Sequence, residues 1–138
     1  EQQGRGLLVV FFATWGRPCR AGIARLVREV DFLAREGIHV VLIDVGEEEE
    51  VVRAFTAQTG IDRFPVIRDP FARQAAIPYG AAEAGTGGPE AYTARVPLAV
   101  LLDPDGRVLG IYPEENDSFL DRVRSALPRP PDASRVSP

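Results

Sequence analysis

Hydrophobic positions fall along this chain in two rhythms: short solid runs, and longer stretches in which they recur every three or four residues. Residues 7–12 (LLVVFF) form the first solid run, bounded by Gly6 and by the Gly16-Arg17-Pro18 step, as expected of a covered central strand. Helical spacing follows over residues 18–36. Ile23, Leu26, Val27, Val30 and Leu33 share one face, Arg25, Arg28, Glu29 and Arg35 lie largely on the other, and Gly37 ends the helix. A second covered strand spans residues 38–45 (IHVVLIDV), so strand, helix and strand make one right-handed parallel crossover unit. Residues 47–59 open with a run of glutamates, favourable at a helix N-terminus, and carry Val51, Val52 and Phe55 as the inward set.

Beyond that point the pattern weakens. Residues 64–67 fit a short edge strand, because Pro65 removes a ladder donor, and residues 71–76 fit a turn or two of helix before Pro78. Residues 80–91 (GAAEAGTGGPEA) have no period and predict a flexible surface loop. Residues 95–112 predict an antiparallel hairpin across Asp103-Pro104-Asp105-Gly106, with Pro at i+1 and Gly at i+3 of a type I turn. Asn116 is placed to cap a last helix that buries Phe119, Leu120, Val123 and Leu127. The order of elements predicts an α/β fold, a central mixed β-sheet with helices on both faces. Residues 1–6 read as an N-terminal remnant, 7–127 as the domain, and 128–138, poor in apolar residues, as a flexible tail.

Composition narrows the picture. At 138 residues with 45% hydrophobic content, the chain suits one domain with a real core. A net charge of −4 argues against nucleic-acid binding, which asks for a basic face. All basic residues are Arg, a bias that fits genome composition better than a function. No apolar stretch is long enough to span a bilayer and no signal-peptide pattern opens the chain, so a signal or anchor, where there is one, is expected upstream of Glu1.

Candidate chemistry centres on Cys19, the only cysteine. It falls in the first turn of a helix, where unpaired backbone N–H groups favour a thiolate and Arg17 and Arg20 add positive charge; Pro18 suits the same turn. The competing reading is an inert thiol packed as a small apolar residue. One cysteine makes no internal disulfide and leaves the redox compartment open. Arg17 would steer anions or simply be solvated, and Trp15 would offer an exposed aromatic for docking or pack in the core. His39 reads as a strand residue, since no second His or Cys completes a soft metal site, and Glu47 to Glu50 read as a helix start on a solvent face; no metal and no cofactor are expected. The Gly-rich stretch before Val96 is either a partner-contacting flap or a tolerated insertion.

The blocks FFATWGRPCRAGIARL, VVLIDVGEEEE, FPVIRDP and VPLAVLLDPDGRVLG, in this order, resemble the thioredoxin superfamily. More closely they are similar to the TlpA/ResA-like redoxins, thiol-disulfide oxidoreductases related to the AhpC/TSA branch. That resemblance implies a thioredoxin-like fold in an extracytoplasmic setting, periplasmic or membrane-tethered. It also implies that Pro97 matches a cis-proline beside the active-site turn, and that Trp15, Pro18 and Pro97 are retained scaffold. The family's nucleophilic first cysteine is replaced by Gly16, Cys19 matches the resolving cysteine, and Gly22 stands where an acidic residue tunes thiol acidity. One thiol cannot both attack a disulfide and release the mixed product, so the ordinary two-cysteine cycle is excluded for this chain alone.

What remains is single-cysteine thiol redox chemistry at Cys19, with Gly16 opening the sulfur to a protein thiol/disulfide partner or small thiol, or the recent loss of that chemistry. The partner groove would be Trp15, Gly16, Arg17, Pro18, Val96 and Pro97. Two alternatives stand beside it: a non-catalytic module holding an extended polypeptide in that groove, and a one-cysteine peroxide reductase. The last is weakened because the residue three before Cys19 is Gly16, where the related peroxiredoxins carry Thr. Membrane contact would come only through an upstream anchor, and the oligomeric state is not fixed.

Overall fold

The structure, a computed structural model, describes residues 4–88, 91–113 and 118–128. Strands β1 (Gly6–Phe12), β2 (Ile38–Val45) and β3 (Val66–Asp69) run parallel, while β6 (Leu98–Leu102) and β7 (Val108–Tyr112) complete a five-stranded sheet of order β3-β2-β1-β6-β7. β6 pairs antiparallel with both β1 and β7, so the sheet is mixed as expected. The connecting helices are α1 (Arg17–Arg28), α2 (Val30–Arg35), α3 (Glu49–Thr59), α4 (Ala76–Tyr79) and α5 (Phe119–Ala126).

β1 is solidly apolar because both of its faces are covered. Leu8, Val10 and Phe12 point into a core shared with Ile23, Leu26, Leu33, Phe55, Phe119 and Val123 of the longer helices. Val9 and Phe11 point the other way, onto Ile43, Val45, Ala72, Ala76, Leu98 and Val100. The strand register sets the site: Phe12 lies opposite Asp44, Asp44 opposite Arg68, and Phe11 opposite Leu98. The turn after β1, the end of β2 and the peptide before β6 therefore share one rim of the sheet.

Several boundaries differ from the sequence reading, each for a physical reason. The helix expected over 18–36 breaks at Glu29 (φ −103, ψ 23), and the buried stripe continues across the break, so spacing alone does not show it. The helix expected from Glu47 starts at Glu49, because Glu48 is extended (φ −70, ψ 151). The edge strand expected at 64–67 pairs as Val66–Asp69, with the Pro65 carbonyl accepting from Leu42 N–H at 2.9 Å. The turns at 71–76 become a 3-10 turn, Pro70–Ala72, followed by α4, which takes in Pro78 in its first turn, where no intrahelical N–H bond is lost.

The stretch expected as a loop at 80–91 contributes a strand. β4 (Ala82–Ala84) pairs antiparallel with β5 (Tyr92–Ala94), a small second sheet whose Ala82 is buried against the Phe11 face. Alanine-rich strands this short carry no readable alternation. The Asp103–Gly106 turn closes with Gly106 N–H on the Asp103 carbonyl at 2.9 Å, and Asp103 Oδ1 also accepts from Asp105 and Arg107 N–H. The Asn116 cap and the tail from residue 129 onward lie outside the described residues. Among the described residues no helix is long and apolar enough to cross a membrane.

Candidate functional site

α1 begins where the apolar run of β1 ends. Gly16 caps it with extended geometry (φ −89, ψ 124) and no side-chain bond, Pro18 occupies its first turn, and Arg20 N–H closes on the Gly16 carbonyl at 3.0 Å. Cys19 lies in that first turn but points inward and is 1% exposed. The loss of a side chain at Gly16 has therefore not opened the sulfur: Gly16 is itself buried. A Cβ placed on Gly16 would lie 3.3 Å from Cys19 Sγ and 3.7 Å from its Cβ. Trp15 stands 67% exposed beside it, and Arg17 and Pro18 are exposed. The Val96–Pro97 peptide bond is cis, one residue before the Leu98–Phe11 pair, so both residues sit at the same rim and are partly exposed.

The turn is gripped from below by residues the sequence reading placed elsewhere. Glu47, expected on a solvent face, is half-buried: Oε1 accepts from Thr14 N–H at 2.8 Å and Oε2 from the Thr14 hydroxyl at 2.7 Å. Its own N–H donates to Asp44 Oδ1 at 2.9 Å, and its carbonyl accepts from Arg68 Nε at 3.0 Å. Arg20, though exposed, donates from Nε to the Thr14 carbonyl at 2.9 Å, its guanidinium 5.8 Å from the Phe55 ring centre. Asp44 is fully buried and its Oδ2 has no hydrogen-bond partner.

Electrostatics follow from that burial. Burial first, then the Glu47 side chain, raises Asp44 to about 8, against the Glu47 N–H and Arg68, so Asp44 is largely protonated at neutral pH. Burial also opposes ionisation of Glu47, but the Asp44 carboxyl beside it and the Thr14 N–H and hydroxyl outweigh that and hold its pKa below the ordinary value. Tyr92, on the small sheet, has its phenol raised by burial and by the charges of Asp44, Glu47 and Asp69. Its hydroxyl fills the space above Gly46 (φ +78), where a Cβ would come within 1.6 Å of it. Asp69, 2% exposed, accepts from the N–H groups of Gln74, Ala75 and Ala76 at 3.0, 2.9 and 2.7 Å and so starts α4.

Comparison with known proteins agrees with this architecture. The profile of the AhpC/TSA family matches residues 1–111. The chain belongs to the AhpC/TSA family. Its relatives include the thiol-disulfide oxidoreductase ResA of Bacillus subtilis, 25% identical over 111 residues, which are 80% of this chain and 54% of that protein. The chain thus spans about half the length of that relative. Among solved structures, a thioredoxin-family thiol:disulfide interchange protein from Chlorobium tepidum superposes with TM-score 0.66 at 27% identity, covering 89% of this chain and 79% of that one. The peroxidoxin BcpB of Mycobacterium tuberculosis superposes with TM-score 0.70 at 14% identity, over 88% and 77% of the two chains, a likeness of fold.

This AhpC/TSA redoxin has the thioredoxin-like fold of a ResA-like protein, with one sulfur at the turn. The structure brings Trp15, Gly16, Arg17, Pro18, Cys19, Val96 and Pro97 to one rim of the sheet. His39 is exposed on β2, near Gly4 at the sheet end where β1 and β2 begin. Among the described residues no group of His, Cys, Asp or Glu is arranged to hold a metal ion. The residues that sequence reasoning missed are Thr14, Asp44, Glu47 and Tyr92. Asp44 carried a usable signal, a carboxylate inside an otherwise apolar run; the other three did not.

Proposed function

We propose that this redoxin retains a single-cysteine form of thiol-disulfide exchange, acting on a protein disulfide or a small disulfide. The carrying observation is that Cys19 Sγ lies 3.3 Å from the Cβ position of the residue that would hold a first sulfur, the spacing of a two-cysteine site with one sulfur absent. In the step proposed, the Cys19 thiolate attacks one sulfur of the partner disulfide. A Cys19–partner disulfide forms, the original partner bond breaks, and the second partner sulfur leaves as thiolate. Release needs a thiol supplied from outside, from the partner or a small thiol, which regenerates Cys19.

Because Cys19 is 1% exposed, the attack requires the Thr14–Gly16 turn to move. The partner would dock on Trp15, Arg17, Pro18 and the Val96–Pro97 edge. An extracytoplasmic setting belongs to the same proposal and rests on the family likeness.

A second reading has its own support. Trp15 at 67% exposure beside a fully covered thiol suits a redox-inactive module that binds a polypeptide. Intact-mass measurement of the native protein with glutathione disulfide separates the two, with Cys19→Ser as control. A glutathione adduct on native wild type, absent in the variant, supports exchange. An adduct that forms only after denaturation overturns it and leaves the binding module.

A further inference from the structure

Asp44 is a fully buried carboxyl on a strand, with one oxygen engaged by Glu47 N–H and the other without a partner. Three residues on, the Glu47 carboxylate spends both oxygens on Thr14. Two carboxyls this close, one buried, do not both ionise readily; the pair favours one proton and one negative charge. The charge belongs on Glu47, which has the two Thr14 donors aimed at it, and the proton on Asp44, whose neutral carboxyl then adds a hydrogen bond to Glu47.

We propose that Asp44 and Glu47 form a proton-controlled strap on the active-site turn: with the proton on Asp44, Glu47 grips Thr14, and loss of that proton releases the turn. Asp44 is held in the middle of the sheet between Phe12 and Arg68 and cannot turn outward. Glu47 is the partner free to move, because it lies in the connection between β2 and α3 and is only half-buried. Ionised Asp44 would therefore push the Glu47 side chain toward water, leaving the Thr14 N–H and hydroxyl without acceptors. What then holds Thr14 is the bond from Arg20 to its carbonyl.

The charged and titratable neighbours bear on this in both directions. Arg68, from β3, bonds the Glu47 carbonyl and eases ionisation of Asp44. Arg20, from α1, holds the other side of Thr14. Asp69, also from β3, is occupied by three N–H donors. The Tyr92 phenol, from β5, closes over Gly46 and remains a neutral cover across the range concerned. The strap is a property of the turn and stands whether or not Cys19 exchanges.

Amide chemical shifts and hydrogen-exchange protection of Thr14 in the labelled full chain test it, between about pH 6 and about pH 9.5, where no unperturbed carboxyl titrates. In the wild type, Thr14 is expected to titrate with a midpoint near the raised Asp44 value of about 8 and to lose about tenfold or more in protection above it. Asp44→Asn, which keeps an oxygen for Glu47 N–H but cannot ionise, should leave Thr14 flat and protected across the range. Glu47→Gln should lose most of the protection at every pH. A wild-type Thr14 that does not titrate there, or an Asp44→Asn variant that titrates like wild type, overturns the strap. Should Asp44→Asn not fold, side-chain carboxyl shifts of the wild type decide: both carboxyls titrating below about pH 5 would refute it.

Discussion

Gly16→Cys should rebuild a disulfide across the first turn of α1, and the geometry says how well. The new Cβ would stand 3.7 Å from the Cys19 Cβ, inside the roughly 3.5–4.5 Å that disulfides adopt. It would also lie 3.3 Å from Sγ, a tight van der Waals contact that bonding relieves. Gly16 has φ −89 and ψ 124, so an L side chain adds no backbone strain. Closing so short a loop, four residues, should stabilise the oxidised over the reduced protein by about 2 kcal/mol in the chain-entropy account. Intact mass after equilibration with a glutathione couple, and denaturant melts of both redox forms, measure this. Gly16→Ala is the control, since it adds the same Cβ without a sulfur. A folded Gly16→Cys protein that stays reduced under oxidising glutathione, or whose oxidised form is the less stable, would refute the view that this turn keeps two-cysteine geometry.

Two further predictions concern stability. Asp44 holds its proton to about pH 8 in the fold, while the unfolded carboxyl gives it up near 3.8, so between those values the folded state binds more protons and stability falls as pH rises. At about 1.4 kcal/mol per pH unit, Asp44→Asn should gain up to about 4 kcal/mol over wild type at pH 7 and nothing below about pH 4; parallel stability–pH curves for the two proteins would sink this. Glu47, with its pKa lowered, acts with the opposite sign and costs stability as pH falls through its folded value in both proteins. Asp69→Ala removes the acceptor of three N–H groups and the anchor of a turn in which Phe71 and Ala72 both sit at φ 58. A loss of about 3 kcal/mol in denaturant unfolding is expected, and one under about 1 kcal/mol would show that the carboxylate is not what holds the turn.

How much of this was legible follows from what each interaction leaves in the sequence. The parallel unit and the β6–β7 hairpin were readable because both faces of β1 and β2 are covered, which leaves solid apolar runs, and because the Asp103–Gly106 turn has its own residue preferences. The position of Cys19 in a first helical turn was readable from Pro18 and the apolar spacing after it. Its direction was not: the helix start exposes Arg17 and Pro18 while turning Cys19 under, and that depends on how α1 is rolled against Phe12 and Phe55. Glu47 looked like the first of a row of helix-start glutamates. Its removal from that row follows from Gly46 at φ +78, which bends the chain back so that the carboxylate meets Thr14, 33 residues earlier. The strand β4 was hidden because it is three residues long and buries only the small side chain of Ala82, which leaves no alternation to read.

The covered thiol and the gripped turn are two sides of one constraint. An exchange reaction needs a partner sulfur to approach Sγ in line, and at 1% exposure Sγ offers no such line in the closed turn. Opening must break the two bonds from Thr14 to Glu47 and the bond from Arg20 to the Thr14 carbonyl, each with a charged partner. At about 1–2 kcal/mol apiece after water takes their place, that is about 3–6 kcal/mol. The open turn would then be populated roughly a hundred- to twenty-thousand-fold less than the closed one, and a small disulfide colliding with the protein would react more slowly by that factor. A protein partner escapes the penalty to the extent that its contacts with exposed Trp15 favour the open turn. If Cys19 exchanges as proposed, it would still form an adduct with a small disulfide, but slowly, and faster with a disulfide carried by a docked polypeptide. On that reading Thr14 and Glu47 set the cost of reaching the sulfur, and Trp15 is the exposed contact through which a docked chain could offset it.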